Sequence, residues 1–356
     1  MRIKFFPKYS SEGASSRYRT YQYISYFEKE GIKCKIFPFF NYGHIQNINE
    51  GKPRNNFLLF PLFVLKRIIL VLFLRKKDIL FIEKELIPYF PPVLEWYLSV
   101  RKIKFILDYD DAIIHNYDKS SKKIIRKLLS RKIPYIQKKA NIVINGSKYL
   151  MKLSEKNNKN SIYIPTSLNI EKYIPRQKNG NKFIVGWIGS YSTSKLIAPL
   201  LDAIIEFCVK NNAEIHLIGF NPAFAKNKNP DILKVIQWSE KKEISEINNF
   251  NVGISPSIDT PFARGKCAFK SVQYMACSKP VITSPVGANA DVVKHGITGF
   301  HANTENDWIK YLEFFLLNSE KAEQMGKKGR EYIEAEFSIQ VNYKKYIQIF
   351  ESLKKL

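Results

Sequence analysis

Short runs of β-branched and aromatic residues alternate with helically spaced stretches along the whole chain, and the alternation starts afresh halfway. In the first half the runs are Ile3–Phe6, Ile32–Phe37, Ile79–Ile82, Phe105–Leu107, Ile142–Ile144 and Ile162–Ile164. In the second they are Phe183–Ile188, Glu214–Ile218, Leu233–Gln237, Val252–Ser255 and Pro280–Thr283. Continuous apolar runs separated by helices predict parallel strands joined by crossovers, buried on both faces. The chain is therefore expected to be α/β, with two Rossmann-like domains facing across a cleft. A composition break at Ile174–Asn181 reads as the linker. The expected domains are 1–176, with a last helix 340–356 packing back on it, and 177–339. Ligands of such sheets bind beyond the strand C-termini, so the chemistry is sought in the loops there.

Charge divides the two halves. The 356 residues carry 57 Lys and Arg against 32 Asp and Glu, a net +25. Residues 1–180 hold 35 and 14 of these, a net +21, which leaves only +4 for the rest. Such asymmetry points the basic half at an acidic partner. An AT-rich genome that fills solvated faces with lysine would account for part of it. The 57–74 stretch is apolar for 18 residues but has Lys66 and Arg67 at its centre and an early Pro61. Each central charge costs ~2.5–3.5 kcal/mol in a spanning helix, so a span is not expected. The stretch reads either as a buried helix or as one lying on a bilayer, with Lys66, Arg67, Arg75, Lys76 and Lys77 facing acidic headgroups. Met1–Pro7 is too short an apolar run for a secretory leader. Cys34, Cys208, Cys267 and Cys277 form no C-x-x-C pair, so neither a disulfide scaffold nor a zinc site is expected.

The most informative segment runs from Asp259 to Asn289. A strand ends near Pro256, and a loop with Arg264 and Lys266 leads into a helix beginning near Ala268. Free N–H groups at a helix start, with Arg264, Lys266 and Lys270 around them, suit a diphosphate. Gln273 lies three residues beyond Lys270, on the same helix face, where its amide can bond sugar hydroxyls.

This segment resembles the C-terminal motif of retaining nucleotide-sugar glycosyltransferases of family 4, which have the GT-B fold. The matching residues are Lys270, Gln273-Tyr274-Met275-Ala276 and Pro280-Val281, followed by Ser284 and Gly287. The likeness extends to Gly186–Ser190 and to Asp291–Phe300. It continues more loosely through Gly13, Ser15–Arg19 and Asp108-Tyr109-Asp110-Asp111-Ala112. It implies transfer of a sugar from a nucleoside-diphosphate donor to a saccharide or lipid-linked acceptor, with retention at the anomeric carbon. It also implies that no metal or other cofactor is required and that the setting is envelope polysaccharide synthesis. Arg264 and Lys270 are implied to stabilise the departing diphosphate. Asp110 and Asp111 are implied to contact acceptor or donor sugar. Gly13, Gly189, Ser190, Lys195, Lys266, Ala268, Phe269 and Gln273 are implied to hold the nucleotide sugar. Two of the family's positions differ. Its paired glutamates fall on Gly265 and Gln273, and a glutamate restored at 273 is expected to keep or improve donor affinity.

Two rival readings follow from the same residues. One is a nucleotide-sugar epimerase of this fold. The other is a basic nucleic-acid-binding protein, but no RNA-recognition signature accompanies the lysines. Nucleic acid is therefore not expected as a partner, and an anionic membrane surface is. The expected location is cytoplasmic and peripheral on the inner membrane face. Donor base, acceptor and oligomeric state leave no readable signal.

Overall fold

The computed structural model describes residues 1–40, 56–176 and 180–355. The expected linker falls partly on 177–179, outside the described residues. The chain divides into two compact units. The first comprises Met1–Ser167, Arg264–Cys267 and Ile339–Leu356; the second comprises Leu168–Ala263 and Ala268–Ser338.

The strands of the first unit are β1 (Arg2–Phe6), β2 (Lys33–Ile36), β3 (Ile79–Glu83), β4 (Lys104–Tyr109), β5 (Ile142–Asn145) and β6 (Ser161–Tyr163). They form one parallel sheet in the order β2-β1-β3-β4-β5-β6, with Phe5 opposite Phe81 and Ile82 opposite Leu107. Its helices are α1 (Ala14–Arg19), α2 (Ile24–Lys29), α3 (Asn56–Leu72), α4 (Val93–Val100), α5 (His115–Asp118), α6 (Lys123–Leu129), α7 (Lys132–Lys139) and α8 (Lys148–Glu155). Strand order reverses after β2. Right-handed crossovers therefore put α1 and α2 on one face of the sheet and α3 to α8 on the other. The two cores follow this division. Tyr23 and Phe27 pack with Ile3, Phe5 and Phe81 on one face. Val71, Leu94, Leu98, Leu129, Ile133 and Leu150 pack with Phe6, Leu80 and Leu107 on the other.

The strands of the second unit are β7 (Ile184–Ile188), β8 (Glu214–Ile218), β9 (Leu233–Ile236), β10 (Val252–Ser255), β11 (Val281–Thr283) and β12 (Gly299–His301). All are parallel, in the order β12-β11-β10-β7-β8-β9. Its helices are α9 (Leu201–Lys210), α10 (Glu243–Asn248), α11 (Pro261–Arg264), α12 (Phe269–Ala276), α13 (Ala288–Val292), α14 (Glu305–Leu317) and α15 (Ser319–Glu336). The last helix, α16 (Ile339–Lys355), packs in the first unit, where Tyr346, Ile349, Phe350 and Leu353 are buried beside Phe5 and Phe81.

Two expectations change at the level of elements. The basic stretch 119–136, whose pattern reads as one helix, forms two, α6 and α7, separated at Ser130-Arg131. Arg67 does not face outward. It is 2 % exposed, and its guanidinium lies 4.8 Å from the Phe6 ring and 5.5 Å from the Phe39 ring. The two aromatic faces and the Glu95 carboxylate attract the cation, against burial that lowers the guanidinium to about 9.

Candidate active site

In the second unit strand order reverses between β7 and β10, and the loops after these two strands carry the predicted nucleotide residues. After β7 come Gly189 and Ser190. A Cβ at 189 would lie 2.2 Å from the Trp187 ring, so only glycine fits there. Ser190 and Thr193 close a capping box on the 3₁₀ turn Tyr191–Leu196. Lys195 stands exposed on that turn and makes no ion pair among the described residues.

After β10 the chain returns through α11 to α12. Ala268 caps α12 from the left-handed region, at φ 54°, a conformation an alanine adopts only when its surroundings demand it. Phe269 and Lys270 occupy the first turn, and the Lys270 ammonium lies 4.4 Å from the Trp187 ring. A lysine so placed opposes the positive end of the helix dipole, while the indole face below attracts it. An anion at this helix start would satisfy ammonium and dipole together. The structure thus brings Gly189, Trp187 and Lys270 together; no spacing in the sequence marks Trp187 as part of the site.

Gln273 sits one turn further and is 4 % exposed. Its Nε2 donates to Glu243 Oε1 at 2.8 Å and to the Tyr173 hydroxyl at 3.1 Å. Glu243 also accepts from Tyr173 at 2.9 Å and from Trp238 Nε1 at 2.7 Å. A carboxylate only accepts, so it fixes the amide with its N–H toward Glu243 and Oε1 as the acceptor left for a ligand hydroxyl.

The other predicted residues lie in the first unit, where strand order reverses between β1 and β3. Gly13 precedes α1; a Cβ there would stand 2.6 Å from Tyr9 Cβ. Asp110 and Asp111 follow β4, and both pair with Lys84, at 3.0 and 2.9 Å. Lys84 itself follows β3 with φ 65°. The Ser15 hydroxyl donates to Asp110 and, at 3.2 Å, to Glu83. One step beneath, Arg19 grips Asp108 through two hydrogen bonds with both side chains fully buried.

Burial and neighbours set the protonation of this cluster. Burial pushes Glu83 up to about 7, and the charges of Asp110 and Asp108 add to the push against Lys84. Burial also raises Asp108 from the ordinary carboxylate value despite Arg19. For Asp110 the burial effect is outweighed by Lys84 and the Ser15 hydroxyl, so its carboxyl titrates below that value. Lys84 is held well above the ordinary lysine value, because Asp110, Asp111 and Glu83 overcome its burial. Glu83, Lys84 and Arg19 were not singled out from the sequence. The signal is Glu83-Lys84-Glu85, three charges directly after the apolar run Ile79–Ile82.

Arg264 is exposed and Lys266 half-buried on the segment that packs in the first unit. Between them Gly265 lies against Ala112, where a Cβ would come within 2.4 Å of Ala112 Cβ and 2.9 Å of Ala112 N. No side chain, and so no glutamate, fits at 265. Cys267 donates to the Asp110 carbonyl at 2.9 Å, and burial pushes its thiol up to about 12. Among the described residues no group of three His, Cys, Asp or Glu side chains is placed to hold a metal ion.

Solved structures share this architecture end to end. Sucrose-phosphate synthase from Thermosynechococcus elongatus superposes with a TM-score of 0.75 at 16 % identity, over 99 % of each chain. HepE from Anabaena, solved in complex with UDP, gives 0.68 at 13 % identity over the whole of both chains. The fold is GT-B. Residues 169–332, just under half of this GT-B chain, match the family described as Glycosyl transferases group 1, and they include the Gly189, Lys270 and Gln273 positions. An uncharacterized glycosyltransferase of Methanocaldococcus jannaschii, MJ1178, is 29 % identical over 53 % of the chain and 54 % of its own length. The capsular polysaccharide biosynthesis glycosyltransferase CapM of Staphylococcus aureus is 25 % identical over 49 % of the chain and 47 % of its own. The chain spans about half the length of these curated relatives.

Proposed function

We propose that the protein is a retaining, hexosyl-type glycosyltransferase. It moves a sugar from a nucleoside diphosphate to a saccharide or lipid-linked acceptor in envelope polysaccharide synthesis, at the cytoplasmic side of the membrane and without a bound metal. The carrying observation is Lys270, set in the first turn of α12 over Trp187 and beside the Gly189 turn, within the segment matched to group 1 glycosyl transferases. Departure of a nucleoside diphosphate builds negative charge, and a preplaced ammonium at a helix start stabilises that charge more than the bound ground state. Arg264 and Lys266 are assigned to the same diphosphate, and Lys195 to its outer phosphate. The Ser190 hydroxyl and the N–H groups at Ala268 and Phe269 are assigned as donors to phosphate or sugar oxygens, and Gln273 Oε1 as an acceptor for a sugar hydroxyl. Gly13, Asp110 and Asp111 are assigned to sugar contacts, since both carboxylates keep lone pairs beyond their bonds to Lys84. The UDP in the HepE structure and the capsular role in the name of CapM support this reading.

Titration with a panel of nucleoside diphosphates, followed calorimetrically, tests the assignment. One of them binds, and Lys270→Ala weakens it at least tenfold, since a charge-assisted bond contributes ~1.5–3 kcal/mol. Chelator leaves turnover unchanged, and NMR of the product shows the donor's anomeric configuration. Nucleotide binding unaffected by Lys270→Ala removes the proposed site.

A further inference from the structure

Away from the candidate site, α3 buries its one arginine and exposes Leu59, Leu62, Leu65 and Leu72. Arg67 lies inside, against Phe6 and Phe39. On the opposite side Leu59, Leu62, Leu65, Ile69 and Leu72 are exposed at spacings of three and four residues, and Phe73 just beyond is 80 % exposed. This is one continuous helical stripe. The neighbouring α4 exposes Val93, Trp96 and Val100, and its Tyr97 hydroxyl reaches the Leu72 carbonyl at 3.5 Å. Further along the chain α6 exposes Ile124 and Leu128. All three helices cover the same face of the first sheet and share its core, so these residues sit on the outer side of one helical layer. Single exposed apolar residues are ordinary; a layer of them is an interaction surface.

Charge identifies the partner. From residue 59 to residue 131, twelve Lys and Arg are exposed, among them Lys66, Arg75, Lys76, Lys77, Arg101 and Arg126. All eight Asp and Glu in that span are buried or half-buried. The partner must therefore offer apolar depth beneath a negative surface. A second copy of the chain would set cations against cations, and a nucleic acid backbone would leave the leucines in water. No described helix is long and apolar enough to cross a membrane. We propose that this helical layer seats the protein on an anionic lipid bilayer, with α3 lying along the surface, its leucines among the acyl chains and its flanking cations on the headgroups. The proposal does not depend on the reaction assigned above.

Flotation with phosphatidylglycerol-containing and pure phosphatidylcholine vesicles tests it, without nucleotide present. Recovery with the anionic vesicles is expected to be at least tenfold higher and to fall with added salt. Trp96 is a native reporter: its emission shifts to the blue on binding, and the shift disappears in Trp96→Phe. The variants Leu62→Gln, Leu65→Gln and Phe73→Ser alter exposed positions only. Combined, they keep the wild-type melting temperature and lose at least tenfold in recovery. Three results would overturn the proposal: equal recovery with both vesicle types, wild-type recovery of the triple variant, or a dimer in solution that the triple variant dissociates.

Discussion

At Gln273 the immediate neighbours decide what a substitution does. The Glu243 carboxylate stands 2.8 Å from the Gln273 amide nitrogen. A glutamate at 273 would place two carboxylates at that distance in a buried site, where both cannot ionise together. The expectation that restoring the family's glutamate helps is therefore reversed. Gln273→Glu should weaken nucleotide binding about tenfold or more at pH 7.5 and less at pH 5.5, where one proton can be shared. Adding Glu243→Gln should recover most of the loss, because the amide and the carboxylate merely exchange places. Calorimetry on the single and double variants measures this; a single variant that binds like wild type removes the Glu243 argument. Glu83 gives a second residue-scale prediction. Its folded value of about 7 lies above the ordinary carboxylate range, so between roughly pH 4.5 and 7 the folded chain holds a proton that the unfolded chain has lost. Stability should fall as pH rises through that window, by up to ~1.4 kcal/mol per pH unit. Glu83→Gln should remove this slope from urea midpoints measured at pH 5, 6 and 7.5. Equal slopes in both proteins would mean that Glu83 ionises normally.

At the scale of elements, the turn at Gly265 is shaped by a backbone approach. The nearest atoms to a Cβ there include Ala112 N at 2.9 Å, which cannot rotate away as a side-chain tip could. Gly265→Ala should destabilise by ~1–3 kcal/mol, and Gly265→Glu at least as much, read as a lower melting temperature. An unchanged value for Gly265→Glu would show that the turn opens freely. The sequence made the elements legible because strands buried on both faces must be apolar throughout. Ile79–Ile82 and Phe183–Ile188 satisfy that rule, so the α/β class and both parallel sheets could be read from periodicity and the GT-B form from the resemblance. Lys270 and Gly189 were legible for a local reason, since each depends on its place directly after a strand or at a helix start. Contacts from distant segments were not legible. Nothing within α3 itself marks Arg67 as buried; the rings of Phe6 and Phe39 and the Glu95 carboxylate that face it come from distant segments. Glu243 lies thirty residues from Gln273, and Lys84 lies 27 from Asp111; no spacing within one element announces either pair.

Over the whole molecule, the chain leaves the first unit at Ser167 and, apart from the short passage Arg264–Cys267, returns to it at Ile339. The first sheet is therefore left with one face incomplete until the last helix is made. That face holds Ile3, Phe5, Tyr23, Phe27 and Phe81, and α16 closes it. The Tyr346 ring lies 4.8 Å from Tyr23, and the Phe350 ring 5.1 Å from Phe27 and 6.4 Å from both Phe5 and Phe81. Ile339, Tyr346, Phe350 and Leu353 are fully buried, and Ile349 nearly so. Each such side chain contributes ~1.5–3 kcal/mol, which puts the five together at roughly 10 kcal/mol. That is a gross figure, offset in part by the entropy of ordering α16, but it is large beside the ~5–15 kcal/mol net stability of a typical domain. A chain ending at Ser338 should therefore lose the cooperative unfolding of the first unit, while amides of β7, β8 and β10 stay protected from hydrogen exchange. Phe350→Ala keeps the helix and leaves a cavity; it should cost ~3–5 kcal/mol and lower protection in β1 and β3 alone. If the shortened chain protected β1 and β3 as well as the full chain does, α16 would be an accessory to a sheet already stable without it.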